Sequence, residues 1–165
     1  MKTILFVSYK FHFIKEYMQH LKIKRYKVLK DEWHGHDRFD EKKSLELLKK
    51  TDIIFCEWAL YNAVWYSKKK LPHQKLYIRC HRFEMDRGFM WRIKWSNVNR
   101  LIFIAPSVRH RGLELFNHMR NRTLIIYNYV DTQKFHLRKK ADAKFHIGMC
   151  GWHRRLKRMD IAIKI

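Results

Sequence analysis

Acidic residues are scarce in this chain, as are cysteine, glycine and long apolar runs. Its 15 Asp and Glu stand against 37 Lys and Arg, which leaves a formal net charge of +22 with the 11 histidines counted as neutral. Such an excess attracts polyanions, a class that includes nucleic acid, anionic lipid headgroups and phosphorylated small molecules. The basic residues run along the whole chain, so no single basic tail carries the charge. The 3 cysteines, Cys56, Cys80 and Cys150, lie far apart with neither metal-ligand nor redox spacing. Each falls at or near the end of an apolar run, and buried free thiols in a reducing cytoplasm are the expected state. No apolar stretch approaches the ~20 residues that span a bilayer. Met1–Tyr9 is apolar only briefly, turns basic and aromatic at Lys10 and has no small-residue cleavage site, so it does not read as a signal segment. Glycine is too sparse to supply a Gly-x-Gly-x-x-Gly turn after the first apolar run, which argues against a dinucleotide site.

What is present is a folding composition: 47% hydrophobic and 15% aromatic residues rule out a disordered chain. A length of 165 residues supports one α/β domain with a sizeable core, but not comfortably two. Short apolar, β-branched runs recur at Thr3–Ser8, Arg25–Leu29, Asp52–Trp58, Lys75–His81, Arg100–Pro106, Thr123–Asn128 and Lys144–Gly151. They start roughly 20–27 residues apart, enough for a strand and a crossover helix. Continuous apolar runs suit strands buried on both faces, as in a parallel sheet.

Several intervals read as helices. Phe11, Ile14, Met18 and Leu21 share one helical stripe. Asp40 caps a helix that carries Leu45 and Leu48, Asn62 caps Ala63–Lys70, and Ser107 precedes a stretch that brings Leu113 and Phe116 together. Trp91 and Trp95, four residues apart, suggest a helix in Asp86–Asn99, the interval with the poorest turn signals. Strand–helix alternation throughout predicts a doubly wound α/β fold with a parallel sheet. Ligands of such folds bind beyond the carboxyl ends of the strands. Polar groups cluster there: Glu57 and Trp58, Arg79 to Glu84, Pro106 and Ser107, Asn128 to Asp131, and the basic stretch His153–Arg158 after Gly151.

Two of these places carry a family resemblance. Ile126-Tyr-Asn-Tyr-Val-Asp-Thr-Gln-Lys-Phe135 is similar to the N-G-V-D-x-x-x-F interdomain segment of retaining GT-B glycosyltransferases of the family-4-like group. Phe145-His-Ile-Gly-Met-Cys-Gly-Trp-His-Arg-Arg-Leu-Lys-Arg-Met-Asp160 resembles the first strand and loop of their second domain. The resemblance implies a Rossmann-like acceptor-side domain over residues 1–136 and the start of a nucleotide-sugar-binding domain over 137–165. It also implies transfer of a sugar from a nucleotide-sugar donor to a glycan or lipid-linked acceptor in cell-envelope polysaccharide synthesis, with no metal cofactor. The setting implied is cytoplasmic, peripheral on the inner leaflet, where an anionic membrane would attract the basic chain. Because the chain ends inside what resembles the first helix of the second domain, it is expected to be inactive alone.

Residue by residue, Lys157 falls where the family places the lysine that contacts the donor diphosphate, with Gly151, Arg154 and Arg155 beside it. Independently of the family, a glycine turn opening a helix offers backbone N–H groups and a positive dipole end to phosphate, and neighbouring cations would neutralise the leaving diphosphate. A solvated basic helix start explains the same residues structurally. His81 sits where the family has a histidine facing the sugar, and is the candidate catalytic residue. A strand-end histidine satisfied by backbone is the structural alternative. Glu57 and Asn62 are candidates to face the acceptor, although capping alone also explains Asn62. The sequence departs from the family in three places: Ser8-Tyr9-Lys10-Phe11-His12 lacks the usual glycines, Tyr129 replaces a glycine, and Trp152 stands where arginine is frequent.

Two further constellations read as structural. His34-Gly35-His36-Asp37 lacks a third ligand at zinc-site spacing and is read as a turn. Trp91-Arg92-Ile93-Lys94-Trp95 would stack bases or lie at a membrane interface, but a packed helix with a basic outer face explains it as well. Two rival classes stay open. A basic nucleic-acid-binding module fits the charge but has no motif or single basic face, so nucleic acid is not an expected partner. A Rossmann-like binding or regulatory protein fits the fold without the chemistry.

Overall fold

The computed structural model of the chain describes residues 1–134, 138, 140–146 and 159–162. These fall into two compact units, Met1–Tyr129 and Val130–Ile165. The first unit holds a six-stranded sheet, β1 (Thr3–Ser8), β2 (Lys27–Glu32), β3 (Ile53–Glu57), β4 (Lys75–Cys80), β5 (Arg100–Phe103) and β6 (Thr123–Ile125). All strand pairs are parallel, in the order β2-β1-β3-β4-β5-β6. The doubly wound parallel α/β architecture expected from the sequence is the one observed, with a flavodoxin-like 2-1-3-4-5 order extended by β6. Four helices connect the strands: α1 (Lys15–Ile23), α2 (Glu41–Lys49), α3 (Tyr61–Lys69) and α4 (Pro106–Leu115).

The strands form where they do because both their faces are covered. All six residues of β1 are buried. Ile4 and Phe6 pack with Phe55 and Ile102 against Ile14 and Met18 of the α1 segment, with Phe11 and Leu21 at its margin. Leu5 and Val7 face the larger core, with Ile54, Leu76, Ile78 and Leu101 beneath α2, α3 and α4. The sheet is thus wound on both sides, as right-handed crossovers running in opposite directions from β1 require. Asp40 caps α2 as expected, its Oδ1 accepting the Lys43 N–H at 3.0 Å. Pro106 opens α4, where its missing N–H costs nothing. Gly112 of α4 lies so close to β5 that a Cβ there would meet the Phe103 ring at 2.5 Å.

The structure corrects four local expectations. The second strand is Lys27–Glu32, not Arg25–Leu29, because Arg25 adopts φ 61° in the turn before it. Asn62 does not cap a helix at Ala63: α3 begins at Tyr61 after Leu60, and the Asn62 side chain serves backbone groups around it. Asp86–Asn99 is no α-helix. It holds 3-10 turns at Met90–Arg92 and Trp95–Asn97, after one at Phe83–Asp86, with Gly88 at φ 73° between them. Trp91 and Trp95 come together on the Phe116 ring, at 4.7 and 5.1 Å, so their spacing reflects a shared partner and not a helix face. Lys144 and Phe145, the expected start of a seventh strand, lie in the 3-10 turn Ala143–Phe145, and that strand's remainder from residue 147 is outside the described residues.

Cys56 and Cys80 are free and buried, and burial pushes both thiols well above their ordinary value. Cys150 lies outside the described residues. Among the described residues, no helix is long and apolar enough to cross a membrane.

Candidate functional site at the carboxyl ends of β3 and β4

The strand order reverses between β1 and β3, the place in an open α/β sheet where ligands bind beyond the carboxyl ends. There β3 ends in a charge, and its neighbour β4 carries one opposite: the register sets Glu57 beside Arg79. An arginine between Ile78 and Cys80 is taken out of water with its strand and must find a counter-charge. Arg79 Nη1 donates to Glu57 Oε1 at 2.7 Å, and His81 Nε2 lies 2.9 Å from the same oxygen. Arg79 Nη2 donates to Asn128 Oδ1 at 2.6 Å, which ties the segment after β6 to the cluster. A carboxylate oxygen accepts from a ring N–H, so Nε2 is the donor side of this pair and Nδ1 lies outside it.

A second carboxylate completes the group. Glu84, in the turn after β4, accepts the His81 N–H at 2.8 Å and the Ala59 N–H at 3.2 Å on Oε1. Burial pushes its carboxyl above the ordinary range, against the lowering effect of those N–H groups and of His81. Glu57 and Glu84 are fully buried; Arg79 and His81 are nearly so. Among the described residues, three polar atoms here are buried with no partner: Glu57 Oε2, Arg79 Nε and Glu84 Oε2. Leaving a buried polar group unpaired costs about 1–3 kcal/mol, so folded interiors hold few of them.

Backbone strain sits at the same place. Trp58 follows Glu57 with φ 72°, a region that bulky residues occupy at a cost of about 1–3 kcal/mol. The turn lays the indole on the His81 ring, centroids 3.9 Å apart and planes 22° from parallel. Phe13 lies 5.2 Å from His81, while Tyr9 and Phe83 lie 5.5 and 5.3 Å from Trp58. This wall of rings lowers the local dielectric and strengthens every polar contact inside it. Burial, then the Glu84 charge, also raises the Tyr9 hydroxyl above its ordinary value.

The chain matches no protein-family model and no curated protein. The site therefore rests on its own geometry. His81 and Glu57, both singled out from sequence, are brought together in one hydrogen-bonded pair. Asn62 lies near them but is fully used: Nδ2 donates to Val7 O at 3.2 Å and Glu57 O at 3.0 Å, while Oδ1 accepts from Leu60 and Ala63 N–H. Its amide joins the ends of β1 and β3 and has no hydrogen-bonding capacity left for an acceptor. Gly151, Arg154, Arg155 and Lys157 lie outside the described residues. Arg79, Glu84 and Trp58 were named from sequence only as members of the strand-end clusters, with no role of their own. A charge inside an apolar run signals the first, whereas the Trp58 backbone conformation leaves no trace in sequence. His34–Asp37 is a run of bends whose His36 ring meets Tyr9 and Phe83 at 4.9 and 5.7 Å. Among the described residues, no three His, Cys, Asp or Glu side chains are grouped to hold a metal ion. An open groove of ≈ 520 Å³ along α4 and β6, lined by Arg109, Leu113, Asn117 and Ile125 among others, shares no residue with the cluster.

Proposed function

We propose that Met1–Tyr129 is the acceptor-side half of a glycosyltransferase of the two-Rossmann-domain type, working on a nucleotide-sugar donor and a glycan or lipid-linked acceptor. The observation that carries this reading is the Glu57–Arg79–His81 cluster, with unpartnered buried polar atoms, placed beyond the carboxyl ends beside the strand-order reversal. Glu57 orients the His81 imidazole by accepting from Nε2, which directs Nδ1 to receive a proton from, or hydrogen-bond to, a sugar hydroxyl. Arg79 holds Glu57 in place from the other side at 2.7 Å, and the ring wall excludes water from the exchange. The order of the two motifs after β6 supports the donor half of the reading.

The near-complete burial of Glu57, Arg79 and Glu84 favours a second reading, a Rossmann-like binding or regulatory domain in which the cluster only braces the strand ends. Titration separates the two. Under the first, nucleotide sugars or short saccharides shift the His81 imidazole and Trp58 indole resonances, and His81→Ala abolishes the response in a still-folded protein. If neither resonance moves with any sugar or nucleotide sugar at millimolar concentration, sugar transfer at this site is refuted.

A further inference from the structure

Part of the charge that is spread along the sequence comes together at one end of the sheet. In a parallel α/β unit each helix runs back against the strands, so helix C-termini and strand N-termini share one end of the sheet. Lys2 precedes β1, Lys27 and Lys75 open β2 and β4, and Arg100 opens β5, all exposed. At the same end, exposed Lys22 and Lys24 close α1, Lys49 and Lys50 close α2, and Lys68 and Lys69 close α3. The acids close to these positions are Asp52, which accepts the Thr3 N–H at 2.7 Å, and Glu46, a turn back along α2. Exposed apolar side chains stand among the cations: Met1 and Ile23 are 90% and 77% exposed, with Tyr26 and Leu71 beside them. Helix dipoles explain lysines at helix ends. They do not explain cations at strand starts, nor an isoleucine in water between lysines.

We propose that this amino-terminal edge of the sheet docks on an anionic lipid surface, its lysines against the headgroups and Met1, Ile23 and Leu71 entering the interface. Lysine, a hydrated point charge, outnumbers arginine here, which suits a diffuse layer of headgroups; nucleic-acid readout draws on the arginine fork. Apolar side chains beside the cations add the buried area on which interfacial binding depends. Docking by this edge sets the Glu57–His81 cluster about 20 Å away, at the opposite end of the strands, since six-residue strands rise ~3.3 Å per residue. The inference rests on charge placement and stands whether or not the cluster transfers sugar.

Co-sedimentation of the full chain with vesicles of phosphatidylcholine alone, and of equal parts phosphatidylcholine and phosphatidylglycerol, tests it. Binding to the anionic vesicles only is expected, weakening as salt rises. The triple variant Lys22→Gln/Lys49→Gln/Lys68→Gln should lose about fivefold in partition per lysine, roughly a hundredfold in all. Ile23→Ser should weaken binding while leaving its salt dependence unchanged. Lys15→Gln/Lys42→Gln/Lys43→Gln removes the same charge from helix starts at the opposite end and should partition like the parent. Equal loss in both triple variants, or no preference for anionic vesicles, overturns the proposal. So does binding to mixed-sequence RNA or DNA that the first triple variant weakens, in a chain indifferent to vesicles; the edge is then a nucleic-acid surface.

Discussion

The Glu57–Arg79 pair is the interaction whose removal says most about the cluster. At 2.7 Å and an effective dielectric of about 20, its gross Coulombic attraction is about 6 kcal/mol. Desolvation of two almost fully buried side chains offsets most of that gain, so the pair's net contribution is small while the penalty for breaking it is not. Glu57→Gln keeps the shape and a carbonyl acceptor but removes the counter-charge, leaving the buried Arg79 guanidinium with neutral acceptors such as Asn128. It should cost about 3–5 kcal/mol. Arg79→Met leaves a buried carboxylate with His81 alone and should cost a similar amount. With both changed, no unpaired charge is left, and the double variant should be less destabilised than either single one, a coupling of at least ~3 kcal/mol. Urea denaturation of the four proteins, at matched slope, measures this cycle. The single variants should also melt about 10 °C lower. Additive losses, with coupling below ~0.5 kcal/mol, would refute the assignment of a desolvated ion pair.

Other regions give independent tests. The Glu84 carboxyl is raised in the folded protein, so the native state holds a proton that the unfolded chain has already released. Stability should therefore fall as pH rises from the ordinary carboxyl range through the raised value and stay level above it, and Glu84→Gln should flatten that slope in urea melts taken across pH. Gly112→Ala puts a methyl group into the Phe103 ring and should cost about 1–3 kcal/mol by thermal denaturation; an unchanged Tm would mean that α4 sits farther from β5. Gln74 Nε2 donates to Leu48 O and Thr51 O at 2.6 and 2.7 Å, while Oε1 accepts the Leu71 N–H at 2.8 Å. Gln74→Ala orphans these groups and should destabilise by about 2–4 kcal/mol, read from the urea midpoint.

Strands buried on both faces were legible because their runs are mostly apolar: β1 matches its run end to end. The edge strand β2 was harder. It carries exposed lysines, and its most informative residue, Asp31, is polar yet buried because Trp33 Nε1, Ser44 Oγ and Tyr66 OH all donate to its Oδ2, at 2.9, 2.6 and 2.8 Å. Those partners come from α2, α3 and the segment after β2, so no window of sequence contains the reason for Asp31. The β4–β5 crossover misled for a related cause. Two tryptophans at helical spacing are also two tryptophans that pack on one phenylalanine, and the second explanation needs tertiary structure. His81 and Glu57 could be found because strand ends bind ligands in this fold. That Arg79 holds Glu57 depends on register between neighbouring strands, and that Glu84 holds the His81 backbone depends on the tight turn after β4.

The strain at Trp58 shows how the two carboxylates came to share one histidine. Turning the chain into the left-handed region straight after Glu57 sends the next two N–H groups inward, Ala59 to Glu84 and Leu60 to Asn62. Asn62 then draws Val7 O and Glu57 O together, closing the end of β1 on that of β3. Glu84 in turn binds the His81 N–H and fixes the imidazole beneath the indole. A glycine at position 58 would follow the same path without strain but would remove the ring that covers His81. A tryptophan in that conformation, costing about 1–3 kcal/mol, is held there by what its side chain covers. The ring shields the Glu57–His81 hydrogen bond from water and keeps Nε2 on the carboxylate, so the strain and the orientation of the imidazole are two consequences of one residue.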